Sequence, residues 1–311
     1  MFVGGKDGPN DRPHPVHPLG HCALVHTRYR PRLGPGGISK LPDGHTARKA
    51  RRPQDVDHLS FSSVSTYLRC PRQWAYAYLE NIRRRPGVAL IKGGAVDKAA
   101  SANLTQKLSS NTDLHVDEVK EMAEDAFRSA VDREGGASEI DWDGQNQARA
   151  LDSTIGLTDV HMRHHAPRIQ PAYVQLELHR DLPDGRDFVG HIDYVTTDSV
   201  VGDIKTGSRR MGQDAADSDL QPSSYGFLIN EPIAFEFARV IDTGTRRYEE
   251  VVTTGRDRRA IDWFSGLVDD VSRGINAAVF PPNPNGWHCS QKFCGYWNRC
   301  QLQNKPPEFP E

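Results

Sequence analysis

The stretch that decides the fold is RDFVGHIDYVTTDSVVGDIKTG, residues 186–207. Apolar and polar residues alternate through RDFVGHIDYV and SVVGDIKTG. Thr197-Asp198 between them is a tight connection, so the stretch reads as two successive strands. Residues two apart on a strand face the same side, so Asp203 and Lys205 project together. Asp193, on the strand before, meets them if the register is right. Two carboxylates and a lysine suit phosphodiester hydrolysis. Carboxylate oxygens hold Mg²⁺, the ion lowers the pKa of a bound water and neutralises phosphate charge, and the lysine positions that water or stabilises the developing negative charge. An Asp-x-Lys tripeptide alone is equally an exposed strand end with a surface ion pair.

Working outward, AYVQLELHRDL (172–182) reads as a third strand, carrying Glu177 and joined to the pair by Pro183-Asp184-Gly185. QPSSYGFLIN (221–230) reads as a short helix with Pro222 in its first turn. On it, Gln221 and Tyr225 are four apart and share a face. AFEFARVID and RYEEVVTTG are two more strands. RRAIDWFSGLVDDVSRGINAAVF is an amphipathic helix stopped by Pro281 and Pro282. Upstream, helical patterns run over 94–108, 116–133 and 145–166. In SFSSVSTYLRCPRQW, Ser62 or Ser63 caps a helix bearing Val64, Tyr67 and Leu68 on one face, and Pro71 breaks or kinks it. The order is helices, three strands, helix, strands, helix and a cysteine tail.

Composition bounds the function. Hydrophobic residues make up 37%, and no apolar run approaches membrane-spanning length. No apolar signal-peptide core opens the chain, so a soluble, cytoplasmic protein is expected, with no membrane partner. Residues 1–58 carry eight prolines, eight glycines and six of the 13 histidines. With so little apolar periodicity they are expected to form a disordered arm. That arm has 10 Lys+Arg against 5 Asp+Glu, and the remainder has 29 against 36. The ordered part is therefore mildly acidic, and contact with nucleic acid has to rest on local clusters. Candidates are Arg83–Arg84–Arg85, Arg209–Arg210, Arg246–Arg247 and Arg256, Arg258 and Arg259, each of which is also ordinary solvated surface.

Five cysteines do not make a disulfide framework. Cys289, Cys294 and Cys300 are spaced as ligands, yet thiolate metal centres usually take four. C-x₄-C-x₅-C fits poorly with the short paired spacings zinc prefers.

GHIDYV, then GDIKTG, then Q-x₃-Y resemble the core of the PD-(D/E)xK nuclease superfamily, in particular its RecB-type branch of CRISPR-associated, AddB-like and phage exonucleases. The likeness spans roughly residues 59–303 and includes the SFSSVSTYLRCPRQWAYAYL opening. It implies an α/β fold: a restriction-endonuclease-like core with a central mixed sheet flanked by helices, an N-terminal helical part and a C-terminal cysteine tail, all within 59–311. It implies that Asp193 and Asp203 bind Mg²⁺ or Mn²⁺ with the Ile204 carbonyl, that Lys205 is catalytic, and that Gln221 and Tyr225 belong to the motif after the lysine. Where the family has a histidine in a G-x-x-x-H pattern, this chain has Gly93 and then Asp97, either an oxygen ligand in that role or an acid in a helix first turn. Some members hold an iron–sulfur cluster with one cysteine before the core and three after it. By that likeness Cys70, Cys289, Cys294 and Cys300 would hold a [4Fe–4S] cluster, with zinc the rival occupant, and Cys22 is the odd one out. The implied activity is DNA cleavage, most readily from single-stranded ends, in recombination, repair, CRISPR adaptation or phage DNA metabolism, with a helicase or recombination protein as partner. A double-strand endonuclease and a non-catalytic DNA-binding scaffold are the other readings.

Overall fold

A computed structural model describes residues 28–29 and 51–300. The elements in chain order are β1 (Arg28–Tyr29), β2 (His58–Ser60), α1 (Phe61–Arg69), α2 (Pro71–Trp74), α3 (Val88–Ser110), α4 (Val116–Arg133), α5 (Gln147–His164), β3 (Pro171–Asp181), β4 (Asp187–Thr196), β5 (Val200–Gly207), α6 (Gln213–Ser218), α7 (Leu220–Ile229), β6 (Ile233–Asp242), β7 (Arg247–Arg256) and α8 (Arg258–Asn276). The strands form one mixed sheet in the order β1-β3-β4-β5-β6-β7, with β2 beside β4. β3, β4 and β5 form an antiparallel meander. β6 then runs parallel to β5. A parallel neighbour needs a crossover, and α6 and α7 supply it.

Two apolar layers cover the sheet. On one face, α1, α7 and α8 bury Val64, Phe227, Phe264 and Val268 against Phe188, Ile192, Phe235 and Phe237. On the other, α3 and α5 bury Val96, Ala100, Leu104 and Leu157 against Tyr194, Ile204, Ala238 and Val240. α8 has the pattern this requires: Ile261, Phe264, Val268, Val271 and Ile275 are buried on one stripe. Its N-cap Asp257 accepts the Ala260 N–H at 2.8 Å. The arrangement is the expected α/β architecture, a mixed sheet flanked by helices.

Two expectations at the N-terminal side change. Ser60, rather than Ser62 or Ser63, caps α1, its hydroxyl accepting the Ser63 N–H at 3.2 Å. Order also begins before residue 59: Arg51 N–H donates to the Leu79 carbonyl at 2.8 Å, and Val56 is buried in the larger core. A single apolar residue in a polar stretch gives no periodic signal. Arg28 and Tyr29 pair with His179 and Leu178 of β3. The other residues before 51, with Cys22 and five of the arm's histidines, lie outside the described residues. No helix among the described residues is long and apolar enough to cross a membrane.

Candidate active site

Three elements bring carboxylates together. Asp193 lies in β4, Asp203 in β5 and Asp97 in α3. The β4–β5 ladder pairs Val195 with Val201 and Tyr194 with Gly202. Beyond it the Ile204 N–H donates to Asp193 Oδ2 at 2.7 Å, so a side chain takes the place of a strand partner. The motif glycines have steric reasons. A Cβ at Gly202 would lie 2.0 Å from the Tyr194 ring, and one at Gly190 would lie 2.3 Å from Leu228 Cδ1.

Asp203 is almost wholly buried. Its Oδ1 accepts from Lys205 Nζ at 2.9 Å and from Gln221 Nε2 at 2.6 Å. Gln221 Nε2 also lies 2.9 Å from the Tyr225 hydroxyl, which donates to the His191 carbonyl at 2.8 Å. The period-2 and period-3.6 spacings thus place Asp203, Lys205, Gln221 and Tyr225 in one chain of hydrogen bonds. Asp203 Oδ2 is buried and has no hydrogen-bond partner. A buried carboxylate oxygen left unpaired is costly, and a cation is the partner it suits.

Electrostatics agree. Burial, then Asp203 and Asp97, push the Asp193 carboxyl well above the usual range, against the Ile204 N–H and Lys205. Burial and Asp203 raise Asp97, opposed by Lys205, Ser101 and Gln175. Burial raises Asp203 although Lys205 and Gln221 pull it down. Burial lowers the Lys205 ammonium, but Asp203 and then Asp193 outweigh it and leave it above its ordinary value. This is the pattern of carboxylates crowded without a counter-ion. Among the described residues no three such side chains already stand at the spacing of a complete metal cage, but the donor types and the orphaned oxygen fit a divalent ion.

Asp97 therefore joins the acidic group rather than serving as a helix-terminus acid; it lies well inside α3, which begins at Val88. Glu177 does not join it. Its carboxylate accepts from or pairs with His179 Nε2 at 2.9 Å and His191 Nε2 at 2.7 Å. Two contributors had no sequence signal. One is Gln175, whose amide reaches Asp97; the other is the Ile204 N–H, in a residue expected to offer its carbonyl.

Several of the candidate arginines have partners within the fold. Arg256 is buried and donates to Ser223 and to the carbonyls of Ala216, Gly255 and Asp219. Arg210 pairs with Glu250, and Arg247 with Asp152 and Asp242. Arg258 donates to the Asn230 carbonyl at the end of α7. Of these, Arg256 is taken into the interior, away from any phosphate contact.

The cysteines meet at a second place. Cys70 sits in the extended residue between α1 and α2. With Cys289, Cys294 and Cys300 it lines one small cavity, beside Tyr76, Trp297 and His288. None of the four is in a disulfide. Cys70 Sγ accepts the Asn283 N–H and Cys294 Sγ the Gln73 amide, both at 3.4 Å, and His288 Nε2 is buried without a partner. The four thiols and their N–H donors suit a thiolate centre. The cavity between them is small, about 10 Å³, room for about one water. No three ligands stand at single-ion spacing among the described residues, so the four cysteines expected to hold a [4Fe–4S] cluster meet at one cavity without forming a cluster site.

Residues 58–301 match the PD-(D/E)XK nuclease superfamily. Comparison with curated proteins gives no match. Among solved structures, a Eubacterium rectale protein described as a putative exonuclease aligns with a TM-score of 0.52 and 11% identity, over 88% of this chain and 96% of that one. At that identity the likeness bears on the fold. SSO0001 aligns at a TM-score of 0.36 and 14% identity, over 79% of this chain and 86% of that one, and carries no argument.

Proposed function

The chain belongs to the PD-(D/E)XK nuclease superfamily, and from that premise we propose that it is a metal-dependent deoxyribonuclease degrading single-stranded DNA from free ends. The observation that carries the reading is Asp203. One of its oxygens is tied to Lys205 and Gln221, and the other is buried and unpartnered beside Asp193 and Asp97. Asp97, Asp193, Asp203 and the Ile204 carbonyl would hold Mg²⁺ or Mn²⁺, which supplies an acidified water and charge neutralisation at the phosphate. Gln221 fixes the Asp203 carboxylate through its amide, and Tyr225 anchors Gln221 to the backbone of β4. Lys205 keeps its proton, because Asp203 and Asp193 outweigh its burial. It is a donor for negative charge developing on the phosphate.

Cys70, Cys289, Cys294 and Cys300 would hold a [4Fe–4S] cluster that staples the tail to α1 and α2, closing a very long loop. Zinc is the competing occupant. The preference for ends and single strands rests on resemblance to RecB-type exonucleases.

The test is anaerobic purification, iron and sulfide analysis, and digestion of end-labelled single-stranded, linear duplex and closed circular DNA with Mg²⁺, Mn²⁺ or chelator. Shortening of single strands from an end, with the circle intact, supports the reading. Cutting of the closed circle makes the protein an endonuclease, and no cleavage with any metal leaves a scaffold.

A further inference from the structure

β3 and β4 both change phase at the same level of the sheet. In β3, Val174 packs toward the α3–α5 layer, yet Leu176, two residues on, is in the α7–α8 layer. In β4, Ile192 lies in the α7–α8 layer and Tyr194 in the α3–α5 layer. Residues two apart on a regular strand share a face, so each strand is kinked between them. The pairing runs Val174 to Tyr194 and Leu176 to Ile192, which sets Gln175 opposite Asp193 at the kink.

Gln175 has φ +50°, and among the described residues it is the one non-glycine inside a strand with a left-handed backbone. That conformation costs about 1–3 kcal/mol for such a residue, and Gln175 is exposed, so burial does not offset it. Its side chain is committed to one place. Nε2 donates to Asp97 Oδ1 at 3.2 Å and to Ser101 Oγ at 2.7 Å, and the Ser101 hydroxyl lies 3.4 Å from the same Asp97 oxygen.

We propose that Gln175 is a positioning residue of the nuclease site: its strained backbone aims an amide across from Asp193 to fix one oxygen of Asp97, leaving the other for the metal. This rests on the reading of Asp97 as a ligand. An amide suits the task because its N–H groups favour the ionised carboxylate that a third acid would repel. The kink that aims it also places Asp193, so one distortion orients two acids from different elements.

The experiment compares wild type, Gln175→Ala, Gln175→Gly, Asp97→Ala and the double variant Gln175→Ala/Asp97→Ala in the full chain. It measures Mn²⁺ affinity by calorimetry and melting temperature in chelator. Gln175→Ala and Gln175→Gly are expected to weaken Mn²⁺ binding about 10–100-fold, the range for partners of metal ligands. Gln175→Gly, free of the left-handed strain, should melt about 2–4 °C above Gln175→Ala. In the Asp97→Ala background, Gln175→Ala should change Mn²⁺ affinity no further, because the two act as one unit. Wild-type affinity in Gln175→Ala, or an undiminished effect without Asp97, overturns the inference while the nuclease reading stands. A wild type that binds no Mn²⁺ overturns both.

Discussion

The carboxylate site and the cysteine corner are both places where residues far apart in sequence converge, but they treat stability in opposite ways. At the first, Asp203 is buried with Asp97 and Asp193 half-buried beside it, and the carboxyls of all three are pushed upward. The fold holds them there against their repulsion, on the strands and helices that the two apolar layers clamp. At the second, thiols pack among tyrosines and backbone and amide donors. Tyr76 packs with Cys294 and Tyr296, and its hydroxyl donates to the Arg299 carbonyl at 2.9 Å. A site for chemistry can be strained because the core around it supplies the stability. A tail that forms no strand or long helix among the described residues depends on its anchor.

The largest test of this contrast is Lys205→Ala. Cleavage should fall about 10³-fold, while Mn²⁺ binding persists and the metal-free protein stays folded; Asp203→Ala should lose cleavage and metal binding together. Single-turnover digestion beside calorimetry separates the two, and a fully active Lys205→Ala protein breaks the assignment. At the other region, Cys70→Ala or Cys294→Ala should bleach an iron-loaded protein and lower its stability by about 3 kcal/mol or more, by analogy with cross-links that close long loops. Cys22→Ala should do neither. Thermal melting with iron analysis reads this out, and a stoichiometric zinc protein without iron would remove the cluster while keeping the staple.

Asp193→Asn should act in the opposite direction. The Asp193 carboxyl is raised by folding, so ionising it costs stability as pH rises from the ordinary carboxylate value, about 3.9, through the folded one. Asparagine removes that cost and can still accept the Ile204 N–H. The metal-free melting temperature should rise by a few degrees at pH 7–8, and the gain should vanish near pH 3, where the wild-type acid is protonated in both states. Mn²⁺ should then add less stability than in wild type. An unchanged melting curve at pH 7–8 would show that the acids are not strained.

The smallest effect is the control. Asp184, in the turn between β3 and β4, is also shielded, but it accepts from Arg186, Ser272 and Asn276, and these hold its carboxyl far below the usual range against burial. Its contribution is present above the ordinary carboxylate pKa and lost as pH falls through the folded value. Asp184→Asn should therefore lower stability at pH 7 by about 1 kcal/mol, with the loss shrinking toward pH 2. Stabilisation by this change would erase the distinction between a partnered acid and a crowded one.

What the sequence determined by itself was everything that a short period encodes. Alternation located β3 to β7. Two-residue spacing put Lys205 beside Asp203, and four-residue spacing aligned Gln221 with Tyr225, because backbone geometry fixes which way near neighbours point. The helices over 94–108, 116–133 and 145–166 fall within or close to α3, α4 and α5 for the same reason. Tertiary structure alone decided what happens between elements. It turned Asp97 from a residue of unsettled role into a neighbour of Asp193 and Asp203, sent Glu177 to two histidines, and took Arg256 into the interior. It also placed Gln175, a residue in no motif, across from Asp193. Those outcomes depend on strand register, on a kink and on how helices seat against a sheet. These are set by packing over the whole domain, and no local pattern of residues carries them.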